Sequence, residues 1–139
     1  MTMMINGLEK NLMDSLKIMI VEDEADICDL LSDYLEMKGC KNISKISTGK
    51  EANIRIELEK PDVIFLDIQL ADNVRGLEVL KKTKELLPNA KVVMMSAYKE
   101  EHGQESQELG AYDFLKKPFH TDSVDQVLKR IFGQKEGEN

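Results

Sequence analysis

The feature that most constrains this chain is a strict alternation of two patterns. Short apolar runs at Lys17–Val21 (KIMIV), Asn42–Ile46 (NISKI), Val63–Leu66 (VIFL), Lys91–Met95 (KVVMM) and Tyr112–Leu115 (YDFL) are separated by segments of helical period. Most runs are β-branched and too short for helices, as expected of parallel strands buried on both faces. Between them, Ile27, Leu30, Leu31, Tyr34 and Leu35 follow the i, i+3, i+4, i+7, i+8 template, with Gly39 as a stop. Leu77, Leu80, Thr83, Leu86 and Leu87 line a second face, closed by Pro88. Val124, Val127, Leu128, Ile131 and Phe132 line another, with Thr121 or Asp122 available as N-cap. Gly49–Glu59 is a less regular helix that ends before Pro61. Lys99–Leu109 (KEEHGQESQEL) occupies a helix position in the alternation yet offers almost no apolar face. It is either loosely packed or buried only against a partner.

Strands alternating with helices make an α/β pattern, and right-handed crossovers place helices on both sides of a parallel sheet. The expected architecture is therefore a flavodoxin-like, doubly wound, five-stranded parallel sheet of order 2-1-3-4-5 with five helices. Its ligand site lies beyond the carboxyl ends of strands 1 and 3, where the strand order reverses. A length of 139 residues suits one such domain. The expected division is an N-terminal extension (1–15), a domain over 16–133 and a polar tail (134–139). No apolar run is long enough to span a membrane, and the N-terminus lacks the pattern of a secretory signal. Cys28 and Cys40 have no metal-ligand spacing and read as reduced thiols, which fits a cytoplasmic protein. A net charge of −7 disfavours nucleic acid or anionic lipid as a direct partner.

The strand ends carry the chemistry. Strand 1 runs into Glu22 and Asp23, and strand 3 into Asp67, so the expected topology brings three carboxylates to one pocket. Their mutual repulsion is relieved by a divalent cation, and oxygen-only ligands with room for water suit Mg²⁺ better than zinc. A single acid at a strand end ordinarily caps the next element, but acids at both switch-point strands do not reduce to that. Strand 4 ends in Ser96-Ala97 and strand 5 runs to Lys117-Pro118. A hydroxyl and an ammonium beside an acid cluster make sense if an anion arrives there. A phosphoryl group on Asp67 would offer its oxygens to the cation, to Ser96 and to Lys117.

The segments IMIVEDE, VIFLDIQL, VVMMSAY and AYDFLKKPF resemble the receiver domains of two-component response regulators, over about residues 16 to 133. The resemblance implies Asp67 as phosphoacceptor and Glu22 with Asp23 as the acid pair. It implies Mg²⁺ held by Asp23, Asp67 and the backbone carbonyl of Gln69, with Glu22 acting through water. Ser96 and Lys117 would bind the phosphoryl group, Phe114 would be the switch aromatic, and the Lys117–Pro118 bond would be cis. Two departures concern the loop after Asp67. Ala71 stands where the family usually has Pro, and one extra residue lies within Ala71–Arg75 before Gly76. The acid pair is Glu-Asp in place of the commoner Asp-Asp.

The donor implied is a phosphohistidine on a sensor histidine kinase or phosphotransfer protein, and the recipient a downstream protein target. The chain would catalyse only its own phosphorylation and dephosphorylation. Gln69 and Tyr98, each two residues beyond a site residue, are placed to tune loss of the phosphoryl group. The output face would combine the fourth helix (Lys99–Leu109), the fifth strand (Tyr112–Leu115) and the fifth helix (from 121), which would also serve a homodimer. In the N-terminal extension, Ile5, Leu8 and Leu12 share a helical face that would dock on the domain or on a second chain. A stand-alone receiver of chemotaxis or phosphorelay type is one expectation, and a piece of a larger regulator the other. Two rivals are an aspartyl-nucleophile phosphatase and a phosphorylation-independent interaction module. The phosphatase pattern puts its nucleophile on the first strand with a second Asp two residues later, whereas position 69 is Gln.

Overall fold

The computed structural model describes residues 13–137. Ile5, Leu8 and Leu12 lie outside them. The elements run β1 (Lys17–Val21), α1 (Ala25–Met37), β2 (Asn42–Ile46), α2 (Gly49–Glu59), β3 (Val63–Asp67), α3 (Gly76–Leu86), β4 (Lys91–Ser96), α4 (Lys99–Glu108), β5 (Asp113–Lys116) and α5 (Thr121–Gly137). All pairings are parallel, in the order β2-β1-β3-β4-β5. The architecture is the one expected from the alternation. In addition, residues 13–15 are helical, ahead of β1.

Because side chains alternate along a strand, the sheet builds two cores. On one face, Ile18, Ile20, Val63, Phe65, Val93, Met95 and Leu115 pack against α1 and α5. On the other, Met19, Val21, Ile64, Leu66, Val92 and Met94 pack against α2 and α3. Central β3 is buried at every residue. Emptying the fully buried Phe65 site with alanine would cost about 3–5 kcal/mol. The ends of this strand are therefore held in place from both sides.

Several local readings shift by part of a helical turn. The buried set of α1 is Cys28, Leu31, Ser32 and Leu35, whereas Leu30 is 61% exposed. Cys28 and Ser32 take inward positions on this helix, and Leu30 faces outward. Tyr34 stays half-buried and donates its hydroxyl to Asp125 Oδ1 at 2.6 Å, tying α1 to α5. In α3, Val79 joins the buried face and Leu86 is left exposed. Helix α5 begins at Thr121, and the amides of Ser123 and Val124 return to the His120 carbonyl. Thr121 and Asp122 thus lie inside the helix, not at its N-cap. The same helix continues to Gly137, through the start of the expected polar tail.

The polar segment does form a helix. Among the described side chains of α4 only Ser106 is buried, its hydroxyl donating to the His102 carbonyl at 2.8 Å. Ahead of β1, Met13 is buried and Asp14 pairs with Lys41 at 3.7 Å, so the end of the expected extension packs on the domain. Among the described residues, no helix is long and apolar enough to cross a membrane.

Candidate functional site

The register levels the carboxyl ends of the strands: Val21 lies beside Leu66, Asp67 beside Met95 and Ser96 beside Lys116. Glu22 is drawn in by its amide, which donates to the Ile46 carbonyl of β2 at 3.0 Å. One ligand oxygen from each of Glu22, Asp23 and Asp67 lies within 4.8 Å of the others. Glu22 and Asp67 are buried and Asp23 is half-buried.

Lys117 reaches this cluster from beyond β5. Its amide donates to the Ser96 carbonyl (2.8 Å) and it precedes a cis bond to Pro118. The ammonium donates to Asp67 Oδ2 at 3.0 Å and sits 2.7 Å from Glu22 Oε1. Buried Glu22 Oε1 is thus held by this ion pair with Lys117. The other oxygens are also engaged: Asp67 Oδ1 accepts from the Gln69 amide at 3.0 Å, and Glu22 Oε2 from the Glu24 amide at 3.2 Å.

Burial pushes the Glu22 carboxyl up to about 7, against the opposing pull of Lys117, and the charge of Asp67 adds to the rise. Desolvation thus outweighs the carboxylate repulsion expected from the sequence. Burial alone would lower the Lys117 ammonium, but its bonds to Glu22 and Asp67 hold it above the ordinary lysine range. Three carboxyl groups share one ammonium here, and two of them, Glu22 and Asp67, are buried. The donors are all oxygens, one from each carboxylate and all within 4.8 Å of one another. This donor set fits a hard divalent cation.

The mouth of the site is a cavity of about 320 Å³ lined by Asp23, Glu24, Asp67, Gln69, Ala97, Tyr98 and Lys117. Glu22 is not in this lining; it lies behind Lys117. Ser96 is buried in the wall, its Oγ accepting the Tyr98 amide at 3.0 Å. Tyr98 is 47% exposed and meets His102 edge-on, with ring centroids 6.4 Å apart. Phe114 stands apart from the cavity. It packs on the core beneath α2 and α3 and lines a groove with Gln104, Ser106 and Gln107 of α4. The structure therefore brings Glu22, Asp23, Asp67, Lys117, Gln69 and Tyr98 together, sets Ser96 in the adjoining wall and places Phe114 on the α4 side.

The model of the response regulator receiver domain matches residues 18–129 of this sequence. The chain belongs to the response regulator receiver family. It is 34% identical to sporulation initiation phosphotransferase F of Bacillus subtilis over 115 residues, covering 82% of this chain and 91% of that protein. It is 37% identical over 121 residues to the alkaline phosphatase synthesis transcriptional regulatory protein PhoP of the same organism, covering 86% of this chain but only 50% of that protein. Among solved structures, the receiver domain of NtrX from Brucella abortus superposes with a TM-score of 0.77 at 33% identity, covering 84% of this chain and 98% of that one. The chain is thus a receiver domain of two-component signalling, with an acidic pocket at its switch point.

Two parts of the site escaped the sequence reading. Gly76 begins α3 so close to β3 that a Cβ there would stand 2.2 Å from the Asp67 carbonyl oxygen. Asp72, in the loop after β3, binds the N-terminus of α2 through both oxygens, to the Gly49 amide (3.0 Å) and the Lys50 amide (2.9 Å). A local signal did exist for that helix start. Thr48-Gly-Lys-Glu51 has capping-box spacing, and Thr48 Oγ1 accepts the Glu51 amide at 3.1 Å. Nothing local in the sequence links Asp72 to it.

Proposed function

We propose that this receiver accepts a phosphoryl group on Asp67 from a phosphohistidine of a sensor histidine kinase or phosphotransfer protein. The observation that carries this reading is the Lys117 ammonium, which spans Asp67 and Glu22 at the edge of a three-carboxylate cluster. A carboxylate oxygen of Asp67 attacks phosphorus as the phosphorus–nitrogen bond of the donor breaks, and the imidazole leaves with the bonding pair. Lys117, already on Oδ2, remains close as negative charge gathers on the transferring group. Asp23, Asp67 and the Gln69 backbone carbonyl would hold Mg²⁺, with Glu22 acting through water. When bound, the ion supplies the positive charge that lets an anionic phosphoryl group approach these carboxylates.

The Ser96 hydroxyl uses its oxygen to accept the Tyr98 amide, which leaves its hydrogen for a phosphoryl oxygen. Movement of Ser96 toward that oxygen frees space for Phe114 to turn inward. The groove it then vacates beside α4 alters the α4–β5–α5 face that a downstream protein target, or a second copy, would read. Helix α4 has little buried apolar surface to hold it, so repositioning it costs little. Exposed Gln69 and Tyr98 flank the path of the water that later hydrolyses the acyl phosphate.

The deciding experiment is incubation with acetyl phosphate and Mg²⁺, comparing wild type with Asp67→Asn. A Mg²⁺-dependent, base-labile adduct present in wild type and absent from the variant is expected. Sustained phosphate release from a simple phosphate monoester as well as from acetyl phosphate would replace this reading with an aspartyl-nucleophile phosphatase. Failure to form an adduct would leave a phosphorylation-independent interaction module.

A further inference from the structure

The loop between β3 and α3 is where this sequence departs from the family pattern, and the structure shows how it is held. At its base, the Gly76 amide donates to the Ile68 carbonyl at 2.8 Å, closing residues 69–75 into an excursion beside the acid pocket. At its far side, Asp72 clasps α2. A helix starts with amides that have no partner within it, and their positive ends attract an acid. Here the Gly49 and Lys50 amides go to Asp72, the Glu51 amide goes to Thr48 Oγ1, and the Ala52 amide begins the helical ladder at the Thr48 carbonyl (3.0 Å). Val74 of the same loop closes against Gly49, so tightly that a Cβ there would meet the Val74 Cβ at 2.6 Å. These contacts hold the Asp72 carboxyl below the usual carboxylate range, chiefly through the bond from the Lys50 amide.

We propose that Asp72 is a positioning residue for the cation site: by clasping the N-terminus of α2 it fixes the loop that carries Gln69 over the acid pocket, and so sets the affinity for Mg²⁺. The inference rests on the Mg²⁺ site of the reading given above. It separates two roles for carboxylates in one neighbourhood. Glu22, Asp23 and Asp67 supply charge, whereas Asp72 supplies geometry from the adjoining helix. The clasp also makes the start of α2 part of the support of the site, although no residue of α2 lines the cavity.

The test uses the full chain and reads Mg²⁺ binding directly, by amide chemical-shift titration of the unphosphorylated protein. Asp72→Ala is expected to weaken Mg²⁺ binding by about tenfold, the low end of what loss of an outer support costs a metal site. The phosphorylation rate at saturating Mg²⁺ should stay within about twofold of wild type. Asp72→Asn keeps one acceptor and should fall between. Thr48→Ala removes a cap from the same helix without touching the loop, and should leave Mg²⁺ affinity unchanged. Hydrogen exchange at the Gly49 and Lys50 amides, accelerated in Asp72→Ala, verifies that the clasp has opened. Wild-type affinity in a variant with those amides exposed would overturn the proposal. So would an equal loss of affinity in Thr48→Ala, which would reduce Asp72 to a helix cap. If wild type binds Mg²⁺ as described but forms no adduct, the phosphoacceptor reading fails while the clasp stands.

Discussion

Gly76→Ala adds one methyl group at the point where α3 leaves the loop, and its effect should reach Asp67, the proposed acceptor, directly. The new Cβ would lie 2.2 Å from the Asp67 carbonyl oxygen, 2.6 Å from the Ile68 Cα and 3.0 Å from the Asp67 carbonyl carbon. All three are backbone atoms, so no rotamer change relieves the contact. Relief requires α3 and the end of β3 to part by about 1 Å, a backbone shift of the kind that overpacking forces. Both sides resist: Leu77, Val79 and Leu80 anchor α3 in the core, and the Ile68 amide holds β3 to Met95 of β4 at 3.0 Å. The cost should sit at the upper end of overpacking, about 3 kcal/mol, out of a total of about 5–15 kcal/mol for a domain of this kind. The variant therefore folds, with the acceptor displaced. A misplacement of about 1 Å can cost about a hundredfold in rate, so phosphorylation of Asp67 by acetyl phosphate should slow by at least about tenfold at saturating Mg²⁺. Urea unfolding followed by circular dichroism measures the first effect, and the time course of adduct formation the second. A variant within about 0.5 kcal/mol of wild type, the range of an ordinary surface change, that also phosphorylates at the wild-type rate would show that this approach constrains nothing.

Further outcomes follow from other parts of the structure. The folded-state pKa of Glu22 is raised from 4.5 to about 7, so between those values the folded protein holds a proton that the unfolded chain has released. Without metal, stability should accordingly fall as pH rises through that window, by at most about 3 kcal/mol; saturating Mg²⁺ should reverse the trend, as read from urea midpoints at both ends. Tyr98→Ala opens the mouth of the cavity and should shorten the lifetime of the phosphorylated form severalfold; an unchanged dephosphorylation rate would exclude Tyr98 as a shield. Burial pushes the Cys40 thiol up to about 11, so at mildly alkaline pH it should react with a thiol reagent only as fast as the domain opens. Its folded pKa lies above the unfolded value, so its contribution to stability should be lost as pH rises from 9.0 toward about 11.

The architecture was legible because its signals are local and redundant. Each buried strand declares itself by a short apolar run, each crossover by a helical stripe, and the handedness rule turns that alternation into one topology. The candidate site was proposed on the same ground, since Glu22, Asp23, Asp67, Ser96 and Lys117 each follow a recognisable strand, and the observed strand order aligns those ends. What remained hidden depends on distances between elements. The choice of Leu31 over Leu30 for the core reflects a rotation of α1 that buries Cys28 and Ser32 as well, which apolar spacing alone does not fix. Gly76 carries no mark in the sequence that distinguishes a helix start from a forced approach to the next backbone. Asp72 belongs by sequence to the loop after β3 and by contact to α2, and no periodicity relates the two. The chemistry proposed for this receiver therefore lies at its strand ends, where local sequence patterns point. The precision of that chemistry rests on contacts between neighbouring units, and variants at Gly76 and Asp72 probe those contacts without altering a single ligand.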